Sequence, residues 1–541
     1  MSDPYTEEIK SNLKAAVAAL NAGQLVNAEH LAGSVLRQIP GEPMAAQIMG
    51  TVRIQQKRYD EALGFVGAGL QHLPESAGLQ NLAGGAYQGK GDHQKALECF
   101  QRASNAAPGN PLVFLNLGKT AFNLDLIDDA RAAFEACLKL APETAEALAG
   151  LARLSLLKGA AEKAFELADR SLSIEPDSAT SQLTKAEAAL AMGNAEMAFE
   201  VSKSLTARPR TRIQIRSLAY GVAAEAADKL KQYDEAFELF RAANDLTHEH
   251  TKSQMVPIVA HQSMDRLTAL CGELPALASK SAAWPQKFEQ PGPVFFMGFT
   301  RSGTTLLQQI LTAHSKIVSA ETEPLTHAWR EVLHAPDIAH HIKNMTPDTV
   351  SEFRAKYFSQ IGKLDAKVPE RGVLLDWHPL YSQYLPVIAR VFPDAKIIFA
   401  KRDPRDCVLS CFQQRFAMSR SAFHFLKLDT AAQFYDDVMS VAEATRDAFD
   451  LNIMDVRYED LIGGVEPKTR ELISFLGLDW EDGMLDYRDK AAEANIKTPS
   501  AAQVVKPLYD TAAGKWLNYE KQMAPARGLL DPWARKFGYD A

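Results

Sequence analysis

The first 250 residues of the chain repeat with a period of 34. Prolines mark this period most clearly, because five of them recur at this one constant interval, at Pro40, Pro74, Pro108, Pro142 and Pro176. Alanines keep the same period from Ala28 to Ala198 and then slip by four residues to Ala236. Each unit has two segments with apolar residues at helical spacing, joined by a turn that often contains glycine and ended by proline. The period therefore predicts an array of paired helices, which the small alanine allows to approach closely.

This pattern resembles the tetratricopeptide repeat, whose unit is a helix-turn-helix pair of about 34 residues. About six units follow the period, and a seventh, divergent unit is expected from about Leu218 to His248. The resemblance implies a right-handed superhelix whose concave face usually holds a peptide or partner protein, with capping or dimerisation as the alternative role. We expect this repeat domain over residues 1–250, followed by a linker with one helix over residues 251–290.

The amino-acid composition argues against several classes of protein. Lys and Arg number 59 against 67 Asp and Glu, and the formal net charge is -8, so the chain has no overall positive field for nucleic acid or an anionic membrane. Five cysteines without a CxxC spacing are too few for a disulfide scaffold and favour a reducing compartment. The sequence has no signal-peptide pattern and no apolar run long enough to span a bilayer, so we expect a cytoplasmic protein without membrane insertion.

A different pattern begins after the linker. Val294–Met297 has the composition of a buried strand, Gly298–Gly303 that of a turn, and Thr304–Ala313 that of an amphipathic helix. Backbone N–H groups and a helix N-terminus hold anions in such an arrangement. Compared with the Walker A motif, the loop has Thr304 in place of the phosphate-binding lysine, and its fixed cation is Arg301. The loop therefore favours a ligand with a phosphosulfate and no γ-phosphate.

The loop resembles the 5′-phosphosulfate loop of sulfotransferases, in particular the PRSGTTL form of tyrosylprotein sulfotransferases and bacterial repeat-containing sulfotransferases. This chain has Thr300 where those proteins usually have proline, and it keeps the six residues that follow. The resemblance covers about Pro291 to Gly538 and implies an α/β domain with a parallel sheet. It also implies that 3′-phosphoadenosine 5′-phosphosulfate is the sulfuryl donor. The residues that would bind it in this loop are Arg301, Ser302, Gly303, Thr304 and Thr305.

A second motif follows about 90 residues later. Lys396–Ala400 is rich in β-branched and aromatic residues, as in a strand, and a helix is expected from Pro404 because Asp403 precedes it. Arg402 and Ser410 supply complementary hydrogen-bond donors for one phosphate. Their eight-residue offset resembles the 3′-phosphate motif of sulfotransferases. Taken alone, the same residues would indicate a helix cap beside a surface arginine.

Two shorter segments agree with the same family. The stretch DVRYEDL at Asp455–Leu461 resembles the segment that ends a core strand beside the nucleotide, which makes Tyr458 a candidate contact. The stretch SAAQVVKPLYDTAAGKWLNYE resembles the late loop that closes over the nucleotide, which makes Ser500 and Lys515 candidates. Ordinary helix and loop surface is the alternative for both segments, because short motifs are degenerate.

Two residues compete for the role of general base. Glu321 lines up with a glutamate that is the base in tyrosylprotein sulfotransferases, although a one-residue deletion leaves Glu323 open. His378 lies near the position where cytosolic small-molecule sulfotransferases carry a catalytic histidine. The alternatives are an acid at a helix start and a histidine stacked by Trp377. Trp377 itself replaces the lysine of the family's Asp-Lys-x-Pro motif. The sequence contains no convincing metal cluster, so no metal is expected.

Together these features predict a tetratricopeptide superhelix followed by an α/β sulfotransferase domain over residues 291–541. The expected reaction moves a sulfuryl group to a hydroxyl, or less readily an amine, of a peptide or protein acceptor held by the repeats. A small molecule or glycan is the alternative acceptor, with the repeats serving assembly. A kinase or nucleotide hydrolase is one rival, and Thr304 argues against it. A scaffold with an inactive transferase domain is the second rival, and the replaced lysine at Trp377 is its best support. The sequence leaves the oligomeric state open.

Overall fold

The computed structural model describes residues 5–261, 265–281, 293–320, 324–333, 338–363, 368–369, 372–488 and 513–540. The chain divides into two compact units, residues 1–215 and 216–541. The helices of the first unit are α1 Glu7–Asn21, α2 Leu25–Gln38, α3 Pro43–Gln55, α4 Tyr59–His72, α5 Ala77–Gly89, α6 His93–Ala106, α7 Pro111–Asn123, α8 Ile127–Leu140, α9 Ala145–Leu157, α10 Ala161–Ile174, α11 Ala179–Ala191 and α12 Ala195–Thr206.

These helices form the predicted pairs, and their contacts explain the repeating residues. Each turn inside a pair contains a residue with left-handed backbone, and these residues recur on the sequence period from Gly23 to Gly193. The periodic alanines, from Ala28 to Ala198, are buried between the paired helices. Close helix contact also requires glycine at Gly84, where a Cβ atom would lie 2.6 Å from the Phe100 ring. The prediction of a repeat array is confirmed.

The four-residue slip of the period is one extra turn of helix. From α3 onward, the first helices of successive pairs begin at intervals of one period, and α13, Ile213–Lys229, still begins on it. It has 17 residues where α11 has 13, and four residues make about one helical turn. Its partner α14, Tyr233–His261, therefore begins four residues later than the period predicts from α12. The unit predicted from Leu218 to His248 is longer than expected at both ends.

The second unit contains this hairpin from Arg216 onward and an α/β domain. Its further helices are α15 Asp265–Leu270, α16 Leu274–Ser281, α17 Thr304–Thr312, α18 Pro324–Ala328, α19 Arg330–Leu333, α20 Ile338–Lys343, α21 Pro347–Ile361, α22 Leu385–Val391, α23 Pro404–Gln413, α24 Arg420–His424, α25 Leu428–Ala448, α26 Tyr458–Gly463, α27 Val465–Leu476 and α28 Glu520–Lys536. Its strands are β1 Val294–Met297, β2 Ile317–Ala320, β3 Val373–Trp377, β4 Lys396–Lys401 and β5 Asn452–Arg457. Short 3₁₀ helices span Cys271–Glu273, Pro379–Tyr384, Asp482–Met484 and Lys515–Tyr519.

The five strands form one parallel sheet in the order β2-β3-β1-β4-β5. Side chains alternate between its faces: Phe296 packs in a core with α17, whereas Phe295 packs against the aromatic rings of Tyr357 and Phe392. Because the strands are parallel, their carboxyl ends meet at one edge, where ligands bind in open α/β sheets. That edge carries the phosphate loop after β1, His378 after β3 and Arg402 after β4. The predicted parallel sheet is confirmed.

Candidate functional site

The phosphate loop joins β1 to α17 through a tightly packed turn. Gly298 has no room for a side chain, because a Cβ atom there would lie 2.5 Å from the Ala400 carbonyl oxygen. The backbone N–H of Ser302 donates to the Phe299 carbonyl oxygen at 3.0 Å, and the buried Ser302 hydroxyl accepts from the Phe299 N–H at 3.3 Å. Gly303 caps α17 with a φ of 91°. The loop thereby leads straight into the N-terminus of α17, which favours negative charge.

Arg301 occupies a conformation that few residues with a side chain adopt. Its φ is 71°, and a left-handed residue other than glycine costs roughly 1–2 kcal/mol. Such strain is found where a loop is held by its surroundings, often at functional sites. Thr304 and Thr305 follow in the first turn of α17 and are both buried.

The two motifs that the sequence separates by about 100 residues contact each other directly. Arg301 Nε donates to Ser410 Oγ at 2.9 Å. Arg402 Nη1 donates to the carbonyl oxygen of Arg301 at 3.0 Å. The Cys411 thiol in α23 donates to the Thr300 carbonyl oxygen at 3.4 Å. The fold thus brings two guanidinium groups and a hydroxyl to one place, which suits an anionic ligand with more than one phosphate.

Tyr458, the first residue of α26, completes this cluster directly after the edge strand β5. Its ring lies under the Arg402 guanidinium, with 4.9 Å between the Arg402 Cζ and the ring centroid. It also covers Gly303, where a Cβ atom would come within 2.5 Å of the Tyr458 ring. The predicted contact Tyr458 therefore packs against both the loop and Arg402, which is 8% exposed.

Asp406 is a buried carboxylate that the sequence did not single out. It lies four residues after Arg402, in the first turn of α23, with 3.9 Å between Arg402 Nη2 and Asp406 Oδ2. Its oxygens accept from the backbone N–H groups of Gly514 at 2.7 Å and Trp516 at 2.8 Å. Burial raises the pKa of Asp406 to about 6, although Arg402 and the two N–H groups oppose this shift. An acidic residue in the first turn of the predicted helix is the sequence signal that could have found it.

Lys515, a predicted nucleotide contact, is engaged with the helical hairpin. Its Nζ donates to Asp228 Oδ2 at 2.9 Å and to Gln413 Oε1 at 3.1 Å. Gln413 is the last residue of α23, three residues after Ser410. Lys515 is therefore connected to the donor motif through Gln413. Ser500 lies outside the described residues.

Of the candidates for general base, the structure describes His378. Glu321 and Glu323 lie outside the described residues. The backbone N–H of His378 donates to the Phe296 carbonyl oxygen at 3.1 Å, and the Leu380 N–H donates to His378 Nδ1 at 3.1 Å. With Nδ1 accepting, the neutral ring carries its proton on Nε2. In this tautomer the outer nitrogen of His378 donates a hydrogen bond rather than accepting one.

The two residues before His378 have different surroundings. Asp376 is fully buried and accepts from the Tyr381 hydroxyl at 3.0 Å and from the Leu325 N–H at 3.3 Å. Trp377 packs against Phe296 with 6.3 Å between ring centroids. Its indole nitrogen is buried and has no hydrogen-bond partner among the residues that the structure describes. A neutral N–H group therefore stands where the resembled family has a lysine.

The described ranges contain neither a metal-ligand cluster nor a membrane-spanning helix. No group of three or more His, Cys, Asp or Glu side chains there is arranged to hold a metal ion. No helix in the same part of the chain has the length and apolar character to cross a membrane.

Known proteins resemble both halves of the chain. Residues 293–482 match the model of the Sulfotransferase family, and residues 77–110 and 115–179 match models of the tetratricopeptide repeat. An uncharacterized protein of Aquifex aeolicus is 28% identical over 359 residues, which are 62% of this chain and 44% of that protein. Protein-tyrosine sulfotransferase 1 of Danio rerio is 23% identical over 304 residues, which are 52% of this chain and 82% of that protein.

The solved structure of a tetratricopeptide repeat protein from Parabacteroides merdae is 17% identical in sequence. The match covers 44% of this chain and 94% of that protein, with a TM-score of 0.35. This chain spans less than half the length of the Aquifex relative. The family matches confirm the two resemblances that the sequence motifs indicated. The chain carries tetratricopeptide repeats in its N-terminal half and a domain of the sulfotransferase family in its C-terminal half.

Proposed function

We propose that the protein transfers a sulfuryl group from 3′-phosphoadenosine 5′-phosphosulfate to a hydroxyl group of a peptide or protein. The observation that carries this proposal is the contact of the two anion-binding motifs, through Arg301 with Ser410 and Arg402 with the Arg301 carbonyl. A family domain of this type supports a transferase. Thr304 in place of a Walker lysine argues against a kinase or nucleotide hydrolase.

The described residues fit such a donor. The N-terminus of α17, which follows the loop directly, attracts negative charge. Arg301 and the loop would bind the 5′-phosphosulfate, whereas Arg402 and Ser410 would bind the 3′-phosphate. When bound, the donor supplies the sulfuryl group and a phosphate that can leave.

Separate residues of the chain would carry out the remaining steps of the transfer. The proposed base, Glu321, takes the proton from the acceptor hydroxyl, so that the hydroxyl oxygen can attack the sulfur. Arg301 and the N–H groups of the loop stabilise the negative charge that develops on the departing phosphate. His378, with its proton on Nε2, would donate a hydrogen bond at the same edge of the sheet. Glu323 and His378 are the alternative bases, and His378 would take that role only in the other tautomer, with Nε2 free to accept. This assignment requires no metal.

A peptide acceptor is supported by two observations. Protein-tyrosine sulfotransferases of Danio rerio and Drosophila melanogaster are 23% and 26% identical to parts of this chain, and tetratricopeptide repeats generally bind proteins. We propose that the repeats hold the acceptor. A small-molecule or glycan acceptor, with the repeats used for assembly, is the alternative. The cytoplasmic location remains a prediction from the cysteine content and from the absence of signal-peptide and membrane-spanning patterns in the sequence.

Donor binding by two arginine variants tests this function. Arg301→Ala and Arg402→Ala should each weaken binding of adenosine 3′,5′-bisphosphate by about tenfold or more, because each removes a charge-assisted contact of roughly 1.5–3 kcal/mol. Isothermal calorimetry without magnesium measures the dissociation constants. Arg470→Ala is the matched control, since this arginine pairs with Glu466 on the surface of α27. Unchanged affinity in both variants would refute the proposed donor site.

A further inference from the structure

One carboxylate of the hairpin of α13 and α14 bonds two residues of the α/β domain. Asp228 accepts from Lys515 Nζ at 2.9 Å through Oδ2 and from the Tyr519 hydroxyl through Oδ1. The side chains of Asp228 and Lys515 are 19% and 31% exposed, so this ion pair is largely removed from water. Burial and the bond to Asp228 raise the pKa of Tyr519, which keeps the phenol protonated as a donor. The Asp228 carboxylate thus fixes two residues of the 3₁₀ helix Lys515–Tyr519.

Asp228 lies in the helical turn that breaks the repeat period. The earlier first helices from α3 to α11 have 13 residues, whereas α13 continues for four more, Ala226–Lys229. This added turn supplies Asp228. The departure from the period therefore coincides with the contact to the α/β domain, which a further unit of regular length would not provide.

The same hairpin holds the last turn of α23 by apolar and backbone contacts. Phe237 stacks on Phe412 with 5.1 Å between ring centroids, and Phe412 is 3% exposed. Asn244 Nδ2 donates to the Phe412 carbonyl oxygen at 2.9 Å. The last carbonyl groups of a helix have no partner inside the helix, so Asn244 satisfies one of them. Lys515, held by Asp228, bonds Gln413 in this turn.

The same turn of α23 also contacts the proposed donor site. Ser410 accepts from Arg301, and Cys411 donates to the carbonyl oxygen of Thr300. Within the four consecutive residues 410–413, the first two therefore contact the phosphate loop. The last two contact the hairpin and the lysine that it holds. A shift of the hairpin contacts would displace Ser410, because a helical turn moves as a unit.

We propose that Asp228 is a positioning residue of the donor site, which acts through Lys515 and Gln413 to hold Ser410 in place for the 3′-phosphate of the donor. The inference rests on the proposed function. It assigns the final repeat hairpin to the transferase machinery rather than to acceptor binding. Asp228 itself does not touch the donor motifs in this arrangement.

The test compares two nucleotides that differ only in the 3′-phosphate. Full-length wild type and Asp228→Asn are titrated with adenosine 3′,5′-bisphosphate and with adenosine 5′-phosphate by calorimetry. The variant should bind the bisphosphate about threefold to tenfold more weakly, as for residues that couple through packed networks, and the monophosphate with unchanged affinity. Removing a negative charge would by itself strengthen binding of the bisphosphate, so the expected loss has the opposite sign.

Two further variants separate positioning from general damage. Asp234→Asn is the matched control, because Asp234 lies on the same hairpin, bonds Gln522 and loses the same charge; it should leave both affinities unchanged. Tyr519→Phe removes one bond to Asp228 and should weaken only the bisphosphate, by a smaller factor. It replaces Asp228→Asn as the decisive variant if the latter fails to fold.

The outcomes are distinguishable. Equal losses for both nucleotides, or no loss in Asp228→Asn and Tyr519→Phe, would overturn the role of Asp228. A wild type that binds the bisphosphate no better than the monophosphate would overturn the proposed function itself. Selective loss for the bisphosphate, with an unchanged control, supports the inference.

Discussion

The stability of the second unit should depend on the ionisation of Asp406. This residue is 1% exposed, and burial raises its pKa to about 6 from an ordinary value of 3.8. The folded protein therefore holds a proton between these two values that the unfolded chain has released. The stabilising contribution is complete below pH 3.8 and is lost as the pH rises through about 6. A shift of about two units corresponds to about 3 kcal/mol over the whole range.

Asp406→Asn isolates this contribution because the amide does not titrate. The free energy of unfolding of the wild type minus that of the variant should fall by about 2 kcal/mol between pH 4.5 and pH 7.5. Other carboxyl groups titrate in both proteins, so their effects cancel in the difference. Any change in the bonds from Gly514 and Trp516 shifts the difference in free energy of unfolding between the two proteins. It does not alter how that difference depends on pH.

Urea unfolding followed by tryptophan fluorescence is the suitable assay. All six tryptophans of the chain lie after residue 280, so the signal reports the second unit and not the repeats. Measurements at five or so pH values define the slope. A difference that stays constant with pH would refute the reasoning, since Asp406 would then have an ordinary pKa in the folded protein. A difference that rises with pH would show that Arg402 and the two N–H groups outweigh burial.

Two other predictions concern the base and the repeats. Glu321→Gln should lower turnover by about 10²–10⁴-fold with donor affinity near that of wild type, because the amide keeps the shape and removes the charge. His378→Asn should cost less in the same steady-state assay, and the reverse ranking would move the base to the histidine. Lys57→Gly should stabilise the first unit by about 0.5–1 kcal/mol, because Lys57 has a φ of 58° at a turn position where glycine stands in other repeats. Thermal unfolding followed by circular dichroism measures this, with Gly91→Lys as the opposite change; a lower midpoint for Lys57→Gly would contradict the argument.

Local patterns were sufficient to predict the repeat helices and the elements around the two anion-binding motifs. The sequence period predicted the paired helices because helix starts, left-handed turns and closing prolines depend on residues near in sequence. β1 has the predicted bounds, and α23 begins at the predicted Pro404 for the same reason. The loop after β1 was recognisable because a strand, a glycine turn and a helix are contiguous. Its likeness to sulfotransferases also pointed to a parallel sheet.

The candidate site could be predicted as a set of residues but not as an arrangement. Arg301, Arg402, Ser410 and Tyr458 were all named by motifs, and the structure brings them together. The bond of Arg301 to Ser410 joins residues 109 apart, and no periodicity of the chain encodes that distance. Asp406 was missed because its carboxylate becomes important only when Gly514 and Trp516 fold against it.

Asp228 shows most clearly how the sequence-based predictions differ from what the folded chain reveals. The sequence alone shows that the period slips by four residues after Ala198, but it shows neither where the additional residues lie nor what they contact. Only the tertiary structure places them in the last turn of α13 and pairs Asp228 with Lys515, 287 residues further on. The physical reason is that helices and turns arise from interactions between neighbours in sequence. The partner of a buried charge is decided by which distant segments pack together and exclude water.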